Sequence, residues 1–328
     1  MNDIDYDPFD QMTFTYDKCF LCGQPLNNQN KTKEHIFPKW LQNKFDLWDK
    51  SLSLLNGTII KYKNLTIPCC KNCNEIMSAK IEKPMQEAVE NGCDYLKNIN
   101  QDIIFLWLNK IAYGVLFKEL SLKIDRKNNS SKTIFGPDEI RERRMQYLFL
   151  KSIICDTNFH NKPYSILIFK VKNEKLRYWA WDNPFLHTFC IQMNDIGIIS
   201  HLMDNGYNEG YFKNFEVQRK LLEHELHPVQ FLEVCAQFTY KCSLFYREPF
   251  YTTVFIDGKQ PVDIISHNVS GMAYNEWNNE EYAQIFEHLL KDNGYILATD
   301  SLQKKDGLRY TTLFADNGEF NDIELNEI

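Results

Sequence analysis

Two Cys-x-x-Cys pairs, Cys19–Cys22 and Cys70–Cys73, place the strongest constraint on how this chain folds. A two-residue gap lets both thiolates of a pair reach one metal ion, and zinc takes four such ligands in a tetrahedron. Cys69 offers a second register with Cys73, but the two-residue gap suits a metal site better. The alternative is two unrelated thiol pairs. We expect one structural Zn²⁺ on four residues: Cys19, Cys22, Cys70 and Cys73.

The segment between the two pairs is unusually long and carries its own polar motif. It spans 47 residues, whereas the gap in a zinc ribbon is about 15–20 residues. It contains EHIFPKWL, in which Glu34 precedes His35, and it leads into NLTIPCCKNCN, which carries Asn64 and Asn74. A lone histidine is more often a packed or surface residue than a catalytic one. The neighbouring residues must therefore decide the role of His35.

Charge is distributed unevenly along the chain. The segment from Lys18 to Lys83 holds 11 lysines and five acidic residues, a formal charge of +6, while the whole chain carries −7. The remainder therefore carries −13. A basic surface attracts a phosphate backbone, so the N-terminal part is expected to contact nucleic acid. The acidic C-terminal part is expected to contact a protein partner or a second copy of the chain.

The most apolar segment, Asp102–Leu120, is interrupted by Asn109 and Lys110. Its apolar positions follow helical spacing, which indicates a buried amphipathic helix and not a membrane span. The first residues, MNDIDYDPFD, are acidic and do not form a secretory signal. We therefore expect a cytoplasmic protein that does not contact membranes.

Taken together, EHIFPKWL and NLTIPCCKNCN resemble the motifs of HNH endonucleases of the zinc-braced ββα-metal type. The first stretch is similar to the first motif of that family, and the second stretch to its second and third motifs. The resemblance covers about residues 18–85, a fifth of the chain. It implies a metal-dependent endonuclease that hydrolyses nucleic-acid phosphodiester bonds. Double-stranded DNA is the expected substrate, and bacterial restriction or antiphage defence is the expected setting.

The resemblance also implies roles for individual residues. His35 would be the general base that takes a proton from the attacking water, and Asn64 would order the loop and His35. Glu34 and Asn74 would bind one catalytic Mg²⁺ or Mn²⁺. Asn74 stands where many members have histidine, and Glu34 replaces the aspartate of some branches. Glu82 could join the metal ligands, but a solvated helix carboxylate is the preferred interpretation.

We expect an α+β protein of two domains. Residues 1–92, with a core at 18–85, would form a small zinc-stabilised ββα-metal (HNH) module whose helix starts at Asn74, a good N-cap residue. Residues 93–328 would form a larger mixed α+β domain for recognition or regulation. Four strand-like runs there have the short spacing of a mostly antiparallel sheet: YSILIFKVK, LRYWAWD, HTFCIQM and GIISHLM.

The alternative from another functional class is a non-catalytic zinc-ribbon protein that binds nucleic acid or a protein partner. Two weaker patterns also receive the simpler interpretation. His224 and His227 are three residues apart and are expected on a polar helix surface, not at a metal. The aromatic run Arg177–Phe185 is expected to be a half-buried strand and not a platform for unpaired bases.

Overall fold

The structure is a computed structural model that describes residues 6–10, 12–120, 122–128, 130–173, 177–247, 249–256, 260–267, 271, 273–295, 303–305, 308–315 and 317–325. Within these residues the chain is a mixed α+β protein with several small sheets, which confirms the predicted class. The ββα-metal identity of the N-terminal module stays a prediction.

The strands in chain order are β1 (Lys31–His35), β2 (Ser51–Ser53), β3 (Ile59–Lys61), β4 (Thr66–Cys70), β5 (Asn158–His160), β6 (Ser165–Val171), β7 (Tyr178–Asn183), β8 (Thr188–Met193), β9 (Ile196–His201), β10 (Glu225–Leu226), β11 (Phe250–Ile256), β12 (Gln260–His267), β13 (Gln303–Lys305) and β14 (Leu308–Thr311). The α-helices are α1 (Lys39–Lys44), α2 (Lys71–Met77), α3 (Lys83–Asn91), α4 (Cys93–Leu96), α5 (Gln101–Glu119), α6 (Pro137–Glu142), α7 (Arg144–Cys155), α8 (Tyr207–Asn214), α9 (Glu216–Leu221), α10 (Pro228–Ser243) and α11 (Asn279–Asp292). A 3₁₀ turn covers Tyr62–Asn64, and a π-helical turn at Ser78–Glu82 joins α2 to α3.

The chain divides into two compact units, and each unit is assembled from separate segments. Unit 1 comprises Met1–Glu90, Ile99–Asn161 and Tyr251–Ser266, and unit 2 comprises Asn91–Asn98, Lys162–Phe250 and His267–Ile328. This division differs from the expected boundary after residue 92, because residues 99–161 pack with the N-terminal segment. The physical reason is α5, whose side chains need cover on every face.

Helix α5 is the central element of unit 1. Beyond its first turn, only Leu106, Ala112 and Lys118 are partly exposed, and every other residue is buried. A helix covered on all sides belongs to an interior and not to a surface. The expected burial of this helix is therefore confirmed, but its expected amphipathic character is wrong. No helix within the described residues combines the length and apolar character needed to cross a bilayer.

The N-terminal segment of unit 1 contains two small antiparallel ribbons, β1 with β4 and β2 with β3. The run TIIKYKNLTI is divided into β3, the 3₁₀ turn and the start of β4. Helix α2 begins at Lys71 and not at Asn74. The reason is that the Cys70 thiol accepts the backbone N–H of Cys73 and caps the helix, which therefore begins three residues before Asn74.

Unit 2 is built on a five-stranded sheet in the order β10-β6-β9-β8-β7. The four predicted runs form β6 to β9, and their neighbouring pairs are antiparallel, as expected. Helix α10 packs on this sheet at a close approach: a Cβ added to Gly197 of β9 would lie 2.4 Å from the Phe231 ring. Glycine is required there because any side chain would displace the helix.

Candidate active site and cysteine cluster

The four predicted cysteines come together in unit 1. Their sulfur atoms all lie within 4.8 Å of one another, and the four side chains are buried. The Cys22 and Cys70 sulfurs are 3.7 Å apart. In a tetrahedron with Zn–S bonds of about 2.3 Å, neighbouring sulfurs lie about 3.8 Å apart. The donors and their spacing therefore fit a tetrahedral metal ion.

Local structure brings each cysteine pair into position. Gly23, with φ of +72°, closes a tight turn in which its N–H donates to the Cys19 carbonyl. Cys70 ends β4 and caps α2, so Cys73 follows it on the first turn of the helix. Hydrogen bonds from the Cys22 thiol, and then from neighbouring thiols, lower the pKa of Cys19. At least one sulfur in the cluster thus favours the thiolate form that metals bind.

Cys69 lies beside the cluster but outside it. Its thiol donates to the Cys70 carbonyl at 3.4 Å, and its side chain is fully buried. The four mutually close sulfurs are those of Cys19, Cys22, Cys70 and Cys73, and Cys69 is not among them. The fold therefore brings Cys70 and Cys73 into the cluster, and not Cys69 and Cys73.

Strand β1 places the predicted Glu-His pair on the same ribbon. Glu34 lies opposite Ile67 and His35 opposite Thr66, at the end of the ribbon away from Cys70. Because adjacent strand residues face opposite sides, the two side chains enter different environments. Glu34 faces helices α2 and α5, whereas His35 faces α1 and the loop that follows it.

The Glu34 carboxylate is 9 % exposed and has two partners. One oxygen accepts a hydrogen bond from the Asn74 side-chain amide on α2. The other oxygen lies 2.5 Å from the Lys110 ammonium on α5. The structure therefore brings together Glu34 and Asn74, which are 40 positions apart in the sequence, and adds a cation that was not expected there.

Lys110 is fully buried and is the centre of a charged cluster, the Glu34–Glu82–Lys110 cluster. Its ammonium contacts the Glu82 carboxylate at 2.9 Å and donates to the backbone carbonyl of His35 at 2.7 Å. Burial opposes the charged form, but the carboxylates of Glu34 and Glu82 more than offset it and raise the pKa of Lys110. The ammonium is therefore a permanent charge at the end of β1.

Gly114 allows α5 to approach the end of β1 closely enough for Lys110 to contact it. A Cβ on Gly114 would lie 2.9 Å from the Ile36 side chain, closer than carbon atoms pack. Lys110 precedes Gly114 by one helical turn and lies on the same face, so it reaches the His35 carbonyl. Sequence reasoning missed this contact. The available signal was a lysine surrounded by apolar positions, four residues before a glycine inside a helix.

Glu82 corrects the preferred interpretation of a solvated carboxylate. Its side chain is 13 % exposed and accepts hydrogen bonds from Lys110 and from the Trp40 indole N–H at 3.2 Å. Burial raises the pKa of Glu82, the Lys110 charge opposes that shift, and the Glu34 charge adds to it. Two carboxylates and one ammonium give the cluster a formal charge of −1 when all are ionised.

His35 is 8 % exposed and lies against an aromatic neighbour. Its ring is 5.6 Å from the Trp48 ring, and the Gln42 amide nitrogen lies 3.5 Å from its Nδ1 atom. Burial lowers the pKa of His35 to about 4, with further lowering by the charges of Lys39, Lys110 and Lys33. The imidazole is therefore neutral at neutral pH, the form in which it accepts a proton.

Asn64 is the predicted residue that the structure does not join to the others. It ends the 3₁₀ turn before β4 and is exposed. Its side chain makes no hydrogen bond to His35 or to any other described residue.

The weaker sequence patterns are resolved in unit 2. His227 is buried and caps α10 by accepting the Val229 N–H, while His224 stacks on the Phe320 ring at 4.0 Å. His224 precedes β10 and His227 caps α10, so the two histidines do not lie on one helix surface, and the expected placement is wrong. Strand β7, from the aromatic run, is half-buried throughout, as expected.

The arrangement in unit 1 offers a carboxylate and an amide on one face of β1, a neutral imidazole on the other face, and a separate thiol cluster. Oxygen ligands suit hard divalent ions, and sulfur ligands suit zinc. The two groups of side chains can therefore serve different purposes. Comparison with protein-family models, with curated proteins and with solved structures finds no match to this chain.

Proposed function

We propose that the chain is a metal-dependent endonuclease of the HNH type. The observation that carries this proposal is the contact between Glu34 of β1 and Asn74 of α2, with the neutral imidazole of His35 on the next residue of the same strand. A protein that only needed a folded zinc ribbon would require none of these three residues. The order of the motifs in the sequence supports the same activity.

The cysteine cluster would hold a structural zinc ion in this proposal. All four cysteines are buried. Four sulfur ligands would fill the tetrahedral coordination sphere of the ion and leave no position for a substrate or water, as in structural zinc sites. Because Cys70 and Cys73 connect β4 to α2, the ion would fix the angle between the strand and the helix that carries Asn74. Zinc would thus support the active site without taking part in the reaction.

A catalytic Mg²⁺ or Mn²⁺ would be held by Glu34 and Asn74. Two protein oxygens suit such an ion, since it keeps water ligands and binds a phosphate oxygen as well. When bound, the ion would stabilise negative charge on the phosphate and on the leaving oxygen. Lys110 would orient the Glu34 carboxylate through the oxygen that does not face Asn74.

His35 would accept a proton from the water that attacks the phosphorus atom, at the ring nitrogen that carries no hydrogen. Its burial keeps that nitrogen unprotonated at neutral pH. Asn64 would order the exposed turn that leads into β4. The +6 charge between Lys18 and Lys83 supports a polyanionic substrate, and we propose double-stranded DNA. The proposed setting in restriction or antiphage defence rests on the resemblance alone.

A plasmid-nicking assay tests the activity. Wild type should nick supercoiled DNA with Mg²⁺ or Mn²⁺ and lose activity with a chelator of divalent ions. His35→Ala should lower the rate by about 10²- to 10⁴-fold, the usual effect of removing a positioned proton acceptor. Asn74→Ala should also lose activity, and raising the metal concentration should restore part of it because the ligand set is weakened.

His160→Ala is the matched control, because His160 is an exposed histidine of the same unit. It should cleave like wild type. A folded His35→Ala variant with wild-type activity would disprove the assignment, and so would a wild-type protein that binds DNA but never cuts it with either ion.

A second candidate function is a non-catalytic DNA- or partner-binding module. The observation that favours it is the ion pair between Glu34 and Lys110, since a carboxylate already paired with a cation has less need of a metal. Such a module would bind DNA with an affinity that falls steeply with salt. It would bind equally well with His35→Ala and would not respond to Mg²⁺.

A further inference from the structure

Unit 2 contains an aromatic pocket of about 260 Å³ that has no part in the proposed nuclease site. We call it the Lys241 pocket. Its walls come from α8, α9, α10, β14, the start of α11 and the segment just before α11. The residues used below are Tyr211, Gln218, Gln237, Lys241, Trp277 and Tyr282. Ligand sites for drug-sized molecules occupy about 300–1,000 Å³. The Lys241 pocket therefore suits a smaller molecule with a single ring.

The Lys241 ammonium is an unusual group to find in such a pocket. The residue is 9 % exposed, and its Nζ atom lies 4.3 Å from the centre of the Tyr211 ring and 3.9 Å from that of Tyr274. Within the described residues the ammonium has no carboxylate partner and donates no hydrogen bond. Two ring faces stabilise a cation only partly, so a buried charge of this kind is costly without an anion.

Other buried lysines of the chain are held differently. Lys110 has two carboxylates and backbone carbonyls around its ammonium. Lys151, which is 1 % exposed, donates to the Tyr6 carbonyl at 2.7 Å. Lys241, in contrast, lines a cavity. A charge that costs stability and borders a cavity is typical of a binding residue.

The remaining walls supply flat surfaces and hydrogen-bonding groups. Trp277 is 39 % exposed and packs on Tyr282 with ring centres 5.2 Å apart. The Gln218 amide makes no hydrogen bond to a described residue, and the Gln237 amide nitrogen donates to the Glu233 carboxylate and to the Tyr282 hydroxyl. An aromatic ring of a ligand would stack on these surfaces, and its polar edge would meet the amides.

We propose that the Lys241 pocket binds a small organic anion in which a carboxylate or phosphate is attached to one flat ring. The Lys241 ammonium would pair with the anionic group, while Tyr211 and Trp277 would contact the ring. This site is independent of the proposed nuclease activity, because every residue that forms it belongs to unit 2.

Titration calorimetry of the full-length protein with four probes tests the proposal. Benzoate and phenyl phosphate carry both features and distinguish a carboxylate from a phosphate ligand. Inorganic phosphate carries the charge without the ring, and benzamide carries the ring without the charge. We expect saturable binding of benzoate or phenyl phosphate, and binding of phosphate and benzamide at least about tenfold weaker, since each lacks one contact.

Two variants locate the site. Lys241→Met should weaken binding by about tenfold or more, the effect of losing one charge-assisted contact, and should leave the unfolding temperature unchanged or higher. Trp277→Leu, at a partly exposed position, should weaken binding of the ring-bearing probes and provides a test if Lys241→Met does not fold. Lys220→Met is the control, because Lys220 is an exposed lysine paired with Glu216, and it should bind like wild type.

The proposal is overturned if neither ring-bearing probe binds saturably to folded wild type. It is also overturned if folded Lys241→Met and Trp277→Leu both bind the probe as tightly as wild type does.

Discussion

At the scale of single residues, Lys110 determines the electrostatics of the candidate active site. A fully buried ammonium holds two carboxylates from different elements and two backbone carbonyls at the end of β1. Removing one member of such a group leaves the others as uncompensated buried charges. Substitutions in the Glu34–Glu82–Lys110 cluster should therefore have large effects on stability.

We expect Lys110→Met to lower the free energy of unfolding by about 3–5 kcal/mol, because Glu34 and Glu82 then repel each other without a buried counter-charge. Mg²⁺ or Mn²⁺ should restore part of this loss if it binds Glu34, since the ion replaces the missing cation. Chemical denaturation with and without the ions measures both effects.

Lys118→Met provides the control for that experiment. Lys118 lies on the same helix, is partly exposed and contacts the Tyr16 ring, so its loss should cost about 1 kcal/mol or less. A Lys110→Met variant that is as stable as Lys118→Met would contradict the importance of the buried pair.

At the scale of elements, the cysteine cluster joins a turn near the N-terminus to the junction of β4 and α2. Metal-binding energy in such a small site is folding energy, about 10–16 kcal/mol in isolated zinc peptides. The strand and helix are both short, so their own packing provides little to hold them without the ion.

We expect Cys22→Ser to remove bound zinc and to destabilise unit 1 by several kcal/mol, with little effect on unit 2. Elemental analysis and thermal unfolding measure the two effects. Cys69→Ser is the matched control, as an equally buried thiol outside the cluster. It should retain zinc. Wild type purified without chelators and free of zinc would contradict the prediction.

The elements that sequence could predict are those whose signals are local. The two cysteine pairs, the four strand-like runs that form β6 to β9 and the helical spacing of α5 are each local signals, and the structure contains these elements. The start of α2 was misplaced because a cysteine thiol acts as the N-cap, outside the usual set of Ser, Thr, Asp and Asn.

The parts of the candidate site that sequence could not predict depend on tertiary packing. Glu34 meets Lys110 across 76 positions, and no local pattern specifies that contact. The same packing turns Glu82 inward. For Asn64, the sequence suggested a contact that the fold does not make. Its motif position indicated a contact with His35, but the 3₁₀ turn leaves its side chain exposed.

At the scale of the whole molecule, a buried carboxylate links the stability of unit 2 to pH. Glu233 of α10 is fully buried and accepts hydrogen bonds from the backbone N–H and the hydroxyl of Thr312. Burial raises its pKa from 4.5 to about 7, and the hydrogen bonds from Thr312 limit that rise. The folded state therefore binds a proton that the unfolded state has released at the same pH.

The sign of the effect follows from the raised pKa. The stabilising contribution is complete below about pH 4.5 and is lost as pH rises through about 7, a change of about 3 kcal/mol at most. Wild type should thus lose stability between pH 5.5 and pH 8 relative to Glu233→Gln, which cannot ionise. Denaturant unfolding of both proteins at the two pH values measures this difference.

Glu280→Gln, at an exposed position of α11, should keep the wild-type pH dependence and serves as the control. Comparison between variants isolates Glu233, because other titrating groups contribute equally to each protein. An unchanged pH dependence in Glu233→Gln would show that the buried carboxylate does not control it.

The discontinuous make-up of unit 1 has a consequence for the order of events during synthesis. Strand β5 at Asn158–His160 pairs in parallel with β12 at Gln260–His267, about 100 residues later. At a translation rate of about 5–20 residues per second, β5 leaves the ribosome roughly 5–20 s before its partner. The candidate active site and its cysteines emerge earlier still, so the nascent chain can collect a metal ion well before the sheet that completes the same unit exists.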